Sequence, residues 1–93
     1  MGRCYKINSE DAAYRIIDGE AVILNLNNGY YYSLNVVGTS IWEAIVKQKT
    51  LDEILSLLKE EYPVPELQLK NDLLELVKDL EKEKLISEII QKI

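Results

Sequence analysis

A chain of 93 residues supports one domain and not two, with roughly 60–70% of its unfolded surface available for burial. Apolar residues make up 47% and charged residues 29%, and glycine and proline are few, which excludes a disordered or fibrous chain. Sixteen acidic against eleven basic residues leave a net charge of −5, a balance that argues against nucleic acid as a partner.

The first third of the chain reads as strands. Ala12 to Ile17 (AAYRII) is a short β-like run closed by Asp18-Gly19, a pair suited to a hairpin turn. Ala21 to Leu26 (AVILNL) is a second run and Tyr30 to Leu34 (YYYSL) a third, separated by Asn27-Asn28-Gly29. A two-residue Asn28-Gly29 turn would set Leu24 opposite Ser33. A three-residue loop with left-handed Gly29 sets Leu26 opposite Tyr30, Leu24 opposite Tyr32 and Val22 opposite Leu34. The three-residue loop gathers Val22, Leu24, Leu26, Tyr30, Tyr32 and Leu34 on one face and sends Asn25, Tyr31 and Ser33 to the other. It is therefore the expected register.

After Leu34 the pattern turns helical. Asn35 is placed to cap a first helix carrying Val37, Ile41, Trp42 and Ile45, which ends at Lys47-Gln48-Lys49. Thr50 and Glu53 form the capping box of a second helix with core face Leu51, Ile54, Leu55 and Leu58, stopped before Pro63. Pro65 opens a third helix predicted to run to about Lys84. Leu69, Leu73, Leu76, Val77 and Leu80 form its core stripe. Leu67 and Leu74 lie on one flank, and Asp72, Asp79 and Glu83 make an acidic ridge along the other. A solvated surface is the plainest reading of that ridge. Leu85 to Ile93 reads either as a last helical turn or as a closing strand.

Several absences limit the chemistry. There is no histidine, so the side chain best suited to proton transfer near neutral pH is missing. The single cysteine, Cys4, excludes an internal disulfide or a Cys-rich zinc site and reads as an ordinary reduced thiol. The carboxylates are scattered over helical surfaces, so neither an enzyme, a metal site nor a cofactor is expected. No apolar run approaches the roughly 20 residues of a membrane span, and MGRCYKINSEDAA lacks an apolar signal core. The expectation is a cytoplasmic protein with no membrane contact.

Three short antiparallel strands followed by three helices make an α+β, winged-helix-like arrangement. It is expected to form a single domain over residues 1–93, with its core at about 14–86 and 87–93 as a tail. Its third strand, Tyr30 to Leu34, has no Lys, Pro or charge to protect an edge. It is either interior, covered by the Leu85–Ile93 tail, or open to an extended peptide added as a further strand. Tyr30 and Tyr32 fit a core face, whereas Tyr31 on the other face suits a contact surface.

The stretch Gly19-Glu20-Ala21-Val22-Ile23-Leu24-Asn25-Leu26-Asn27-Asn28-Gly29-Tyr30-Tyr31-Tyr32-Ser33-Leu34-Asn35 resembles the PqqD family. So do Val37-Gly38, Ile41-Trp42-Glu43, Thr50-Leu51-Asp52-Glu53-Ile54, Tyr62-Pro63-Val64 and Asn71-Asp72-Leu73-Leu74, in that order. Lys84-Leu85-Ile86 stands where the family has a Gly-Leu-Val-like triplet. The resemblance spans about Tyr14 to Ile86.

It implies a non-catalytic recognition element for the leader segment of a ribosomally made precursor peptide, as in PQQ and lasso-peptide pathways. The leader would add to the third strand and lie beside the third helix. The partners implied are that leader and a modifying enzyme such as a radical-SAM protein, or a leader peptidase. Carried onto this chain, the binding residues are Tyr30, Tyr31, Tyr32, Ser33 and Leu34 on the strand and Asp72, Leu73, Leu76 and Asp79 on the helix, with Leu67 and Leu74 as the other flank. Two other readings compete. A winged-helix DNA-binding regulator would gather Lys or Arg on a recognition helix, whereas Lys70, Lys78, Lys82 and Lys84 are interleaved with acids. A small subunit that only docks onto a larger enzyme would bind no peptide by itself.

Overall fold

In the computed structural model, which describes residues 2–90, the chain runs β1 (Tyr5–Ile7), β2 (Ala12–Ile17), β3 (Glu20–Asn25), β4 (Tyr31–Ser33), α1 (Val36–Val46), α2 (Leu51–Glu61), α3 (Glu66–Lys82) and β5 (Ile86–Glu88). The antiparallel sheet β2-β3-β4 followed by three helices is the expected α+β arrangement. The described residues add a second sheet, β1 paired antiparallel with β5, and no β1 strand is predicted from the sequence. The closing-strand reading of Leu85 to Ile93 is thus met by β5; residues 91–93, the end of that segment, lie outside the described residues. α3 ends at Lys82 rather than about Lys84, because Lys84 takes a left-handed φ of 61° that turns the chain into β5.

Asp18 and Gly19, with φ of 51° and 80°, make the two-residue turn that joins β2 to β3. The next hairpin corrects the expected register. Val22 lies opposite Ser33, Ile23 opposite Tyr32 and Leu24 opposite Tyr31. Its loop has four residues, 26–29: the Asn25 N–H donates to the Tyr30 carbonyl and the Gly29 N–H to the Asn25 carbonyl, both at 2.8 Å.

Ala21, Ile23 and Asn25 consequently face inward, and Val22 and Leu24 outward. Tyr32 and Leu34 pack against the core as expected, while Leu26 and Tyr30 are exposed. The cause is Asn25, buried at 2% exposure. Its Oδ1 accepts from the N–H groups of Asn27 (2.9 Å) and Asn28 (3.3 Å), and its Nδ2 donates to the Glu83 carbonyl (3.4 Å). A polar side chain with its hydrogen bonds made inside is stable there, and the loop it organises fixes the pairing.

The helices follow their local signals. The Gly38 N–H donates to Asn35 Oδ1 at 2.8 Å and caps α1. Thr50 and Glu53 close a reciprocal capping box on α2, whose hydrogen bonds from Thr50 hold the Glu53 carboxyl below its usual range. Trp42 and Ile45 of α1, Leu51, Ile54 and Leu58 of α2, and Leu69, Leu73, Val77 and Leu80 of α3 form the core with Ile23, Tyr5, Leu85 and Ile86. Lys59 pairs with Glu66 across the α2–α3 turn. None of the described helices is long and apolar enough to cross a membrane.

Candidate functional site

β4 is an edge strand of its sheet. Antiparallel pairing alternates which backbone groups point at the neighbour. Asn25 bonds to Tyr30 and Leu34 to Ala21, so Ile23 and Tyr32 bond between them. The N–H and C=O groups of Tyr31 and Ser33 therefore point away from β3, and no described strand pairs with them. β5, the segment that could have covered this edge, is engaged with β1 instead.

A groove of about 470 Å³ lies between this edge and α3. Ser33, Leu34 and Asn35 form the strand side. Gln68, Leu69, Asp72, Glu75, Leu76 and Asp79 form the helix side, and Val37, Gly38, Ile41 and Val64 lie between them. Gly38 keeps the strand-to-helix turn close: a Cβ there would meet Leu34 Cβ at 3.2 Å and Asn35 Oδ1 at 3.3 Å. Near the C-terminal end of α3, the Tyr32 hydroxyl donates to Glu83 Oε2 at 3.1 Å and ties β4 to the helix.

Charge along α3 is unevenly matched. Glu66 is paired with Lys59, which holds its carboxyl below the usual range. Among the described residues, no ion pair involves Asp72, Glu75 or Asp79. The groove thus combines an unpaired backbone edge, an apolar floor and a carboxylate wall. Such a surface can take up an extended chain by main-chain hydrogen bonds and sort it by side chain. No cluster of three or more metal-ligating side chains occurs among the described residues.

Of the residues singled out from the sequence, Ser33, Leu34, Asp72, Leu76 and Asp79 line the groove. Leu73 is fully buried in the core beneath it. Tyr32 stands at the end of the groove through Glu83, Tyr31 projects from the outer sheet face at 69% exposure, and Tyr30 lies in the exposed loop end. Leu67 is exposed and Leu74 packs on the core; neither borders the groove. Missed from the sequence were Asn35, Val37, Gly38, Ile41, Val64, Gln68, Leu69 and Glu75 as lining residues. Glu75 carried a usable signal, lying three residues from Asp72 and four from Asp79.

Comparison with solved structures finds a chain described as "TbiB1 in Complex with the TbiA(beta) Leader Peptide". It is 29% identical, with a TM-score of 0.80, over 92% of this chain and 99% of that one. A second, "Lasso peptide synthetase B1 complexed with the leader peptide", is 19% identical with a TM-score of 0.78 over 89% and 96%, and so shares the fold. No curated protein matches the chain. Residues 20–86 match the family described as Coenzyme PQQ synthesis protein D (PqqD), which takes in both sheet hairpins' shared strand β3, the edge strand β4 and all three helices. The chain belongs to the PqqD family.

Proposed function

We propose that this protein is a non-catalytic recognition element that binds the leader segment of a ribosomally synthesised precursor peptide. The leader adds as a strand to β4, beside α3, and is presented in the cytoplasm to a modifying enzyme such as a radical-SAM protein or to a leader peptidase. The observation that carries this reading is the open backbone of Tyr31 and Ser33 facing a groove, on a fold shared with a chain solved with a leader peptide. The binding residues proposed are Tyr31, Ser33 and Leu34 with Asp72, Leu76 and Asp79. Tyr30 and Tyr32 flank them along the strand, and Leu73 supports the wall from beneath.

The groove's lining argues against the DNA-binding alternative. It carries three carboxylates and no Lys or Arg, which repels a phosphate backbone. The test is a titration of isotope-labelled protein with the leader half of a candidate precursor peptide, following backbone amides. Shifts concentrated in residues 30–34 and 72–79 support the reading. Unchanged spectra at saturating peptide refute it and favour the docking-only subunit.

A further inference from the structure

The groove has a chemical bias of its own. Its floor is apolar, from Leu34, Val37, Ile41 and Val64, and its helical wall carries Asp72, Glu75 and Asp79. Steps of three and four residues put the three carboxylates in one row, about 10 Å long at about 1.5 Å per residue. The lysines of α3 stand beside that row or beyond its end and not within it: at about 100° per residue Lys70 lies about 160° round the helix from Asp72, Lys78 lies about 60° outside Glu75, and Lys82 follows Asp79 by one turn. Like charges at these spacings oppose helix formation, so a merely solvated face gains nothing from keeping them unpaired. The outward carbonyls of Tyr31 and Ser33 add partial negative charge on the facing side.

A strand added to β4 turns alternate side chains toward α3, about 6.7 Å apart, so two of them fall within the acidic row. Lys and Arg suit this cross-section better than other side chains. Their methylene stems pack on an apolar floor while their charged heads reach an acidic rim. We infer that the groove selects leader segments carrying Lys or Arg at two alternate positions that face α3, with Asp72, Glu75 and Asp79 as the wall that reads them; this rests on the strand-addition reading above.

The test is to select displayed random short peptides against the wild-type chain and against the triple variant Asp72→Asn, Glu75→Gln, Asp79→Asn. All three residues are exposed on the surface of α3. Peptides from the wild-type selection are expected to be enriched in Lys and Arg two positions apart, and those from the variant are not. A synthetic basic peptide from the first pool is expected to bind the variant about tenfold more weakly, at roughly two- to fivefold for each of its two basic side chains. Raising salt from about 50 to about 500 mM is expected to weaken its binding to the wild type but not to the variant. Pools of equal composition, or wild-type affinities indifferent to salt, overturn the inference. A separate arm addresses the parent reading. If Ser33→Pro captures the selected peptides as well as the wild type does, strand addition itself fails and the charge wall is not reading an added strand.

Discussion

Two short strands in different sheets of this molecule meet different fates. β1, of three residues, is paired along one side by β5, a segment from the other end of the chain. β4, also of three residues, keeps its outer edge open. The protected pair carries charges, Lys6 and Glu88, whereas β4 has none of the charges, prolines or bulges that normally shield an edge. The chain therefore has a strand to spare and places it on the other sheet. An edge left bare while a closing strand is available elsewhere, and lying next to a groove, is where the proposed leader strand adds.

Proline substitution at matched serines is the sharpest way to break this comparison. In β5 the ladder runs through Asn8 to Leu85 and Ile89 to Cys4, so the Ser87 N–H lies within it. Ser87→Pro is expected to destabilise the fold by about 2–3 kcal/mol, read as a shift in the urea midpoint followed by the fluorescence of Trp42. Ser33→Pro removes an N–H that makes no ladder bond, so stability is expected to stay within about 0.5 kcal/mol. Leader affinity in that variant is expected to fall by about tenfold or more by calorimetry. Equal effects on stability at the two positions would erase the distinction between the edges.

Charge reversal sharpens it further. Asp79→Lys is expected to weaken leader binding about three- to tenfold, with unfolding free energy unchanged within about 0.5 kcal/mol. A variant that binds as tightly as the wild type places the leader away from α3.

The smallest expected effect lies on the closed side, where the N-terminal segment joins α2: the Leu51 N–H donates to the Arg3 carbonyl at 2.8 Å, beside the capping box. The folded Glu53 carboxyl is held below its ordinary value of 4.5, so its contribution is complete above that value and fades as pH falls through the lower folded one. Lowering pH from about 6 to about 3 is expected to reduce the melting temperature of the wild type slightly more than that of Glu53→Gln, whose amide oxygen still accepts from Thr50. Identical pH profiles would remove Glu53 from the account.

What the sequence revealed follows how far each signal reaches along the chain. The Asn35 cap, the Thr50–Glu53 box and the Pro63 and Pro65 boundaries act within a turn, and all are visible in order. β1 and β5 are three residues each and about 80 positions apart, too short for a period and too distant for a turn signal. The β3–β4 register failed for a different reason. β3 is apolar on both sides, so alternation does not say which face is inside. The deciding residue, Asn25, is a polar side chain that hydrogen-bonds its own loop from within the core.

The candidate site divides in the same way. Asp72 and Asp79 announce themselves by helical spacing. Val37, Ile41 and Val64 border the groove only because α1 and the segment between the two prolines come together beneath it, which nothing local encodes.

The hydrogen bond from Tyr32 to Glu83 bears on timing. It joins the open strand to the C-terminal end of α3, and the Glu83 carbonyl also accepts from Asn25 at the end of β3. The gap between strand and helix is therefore set during folding and does not wait for a ligand. Little of the receiving surface has to be ordered on encounter, so the entropic cost of binding falls on the peptide. Different leaders are then expected to arrive at similar rates and to differ chiefly in how long they stay.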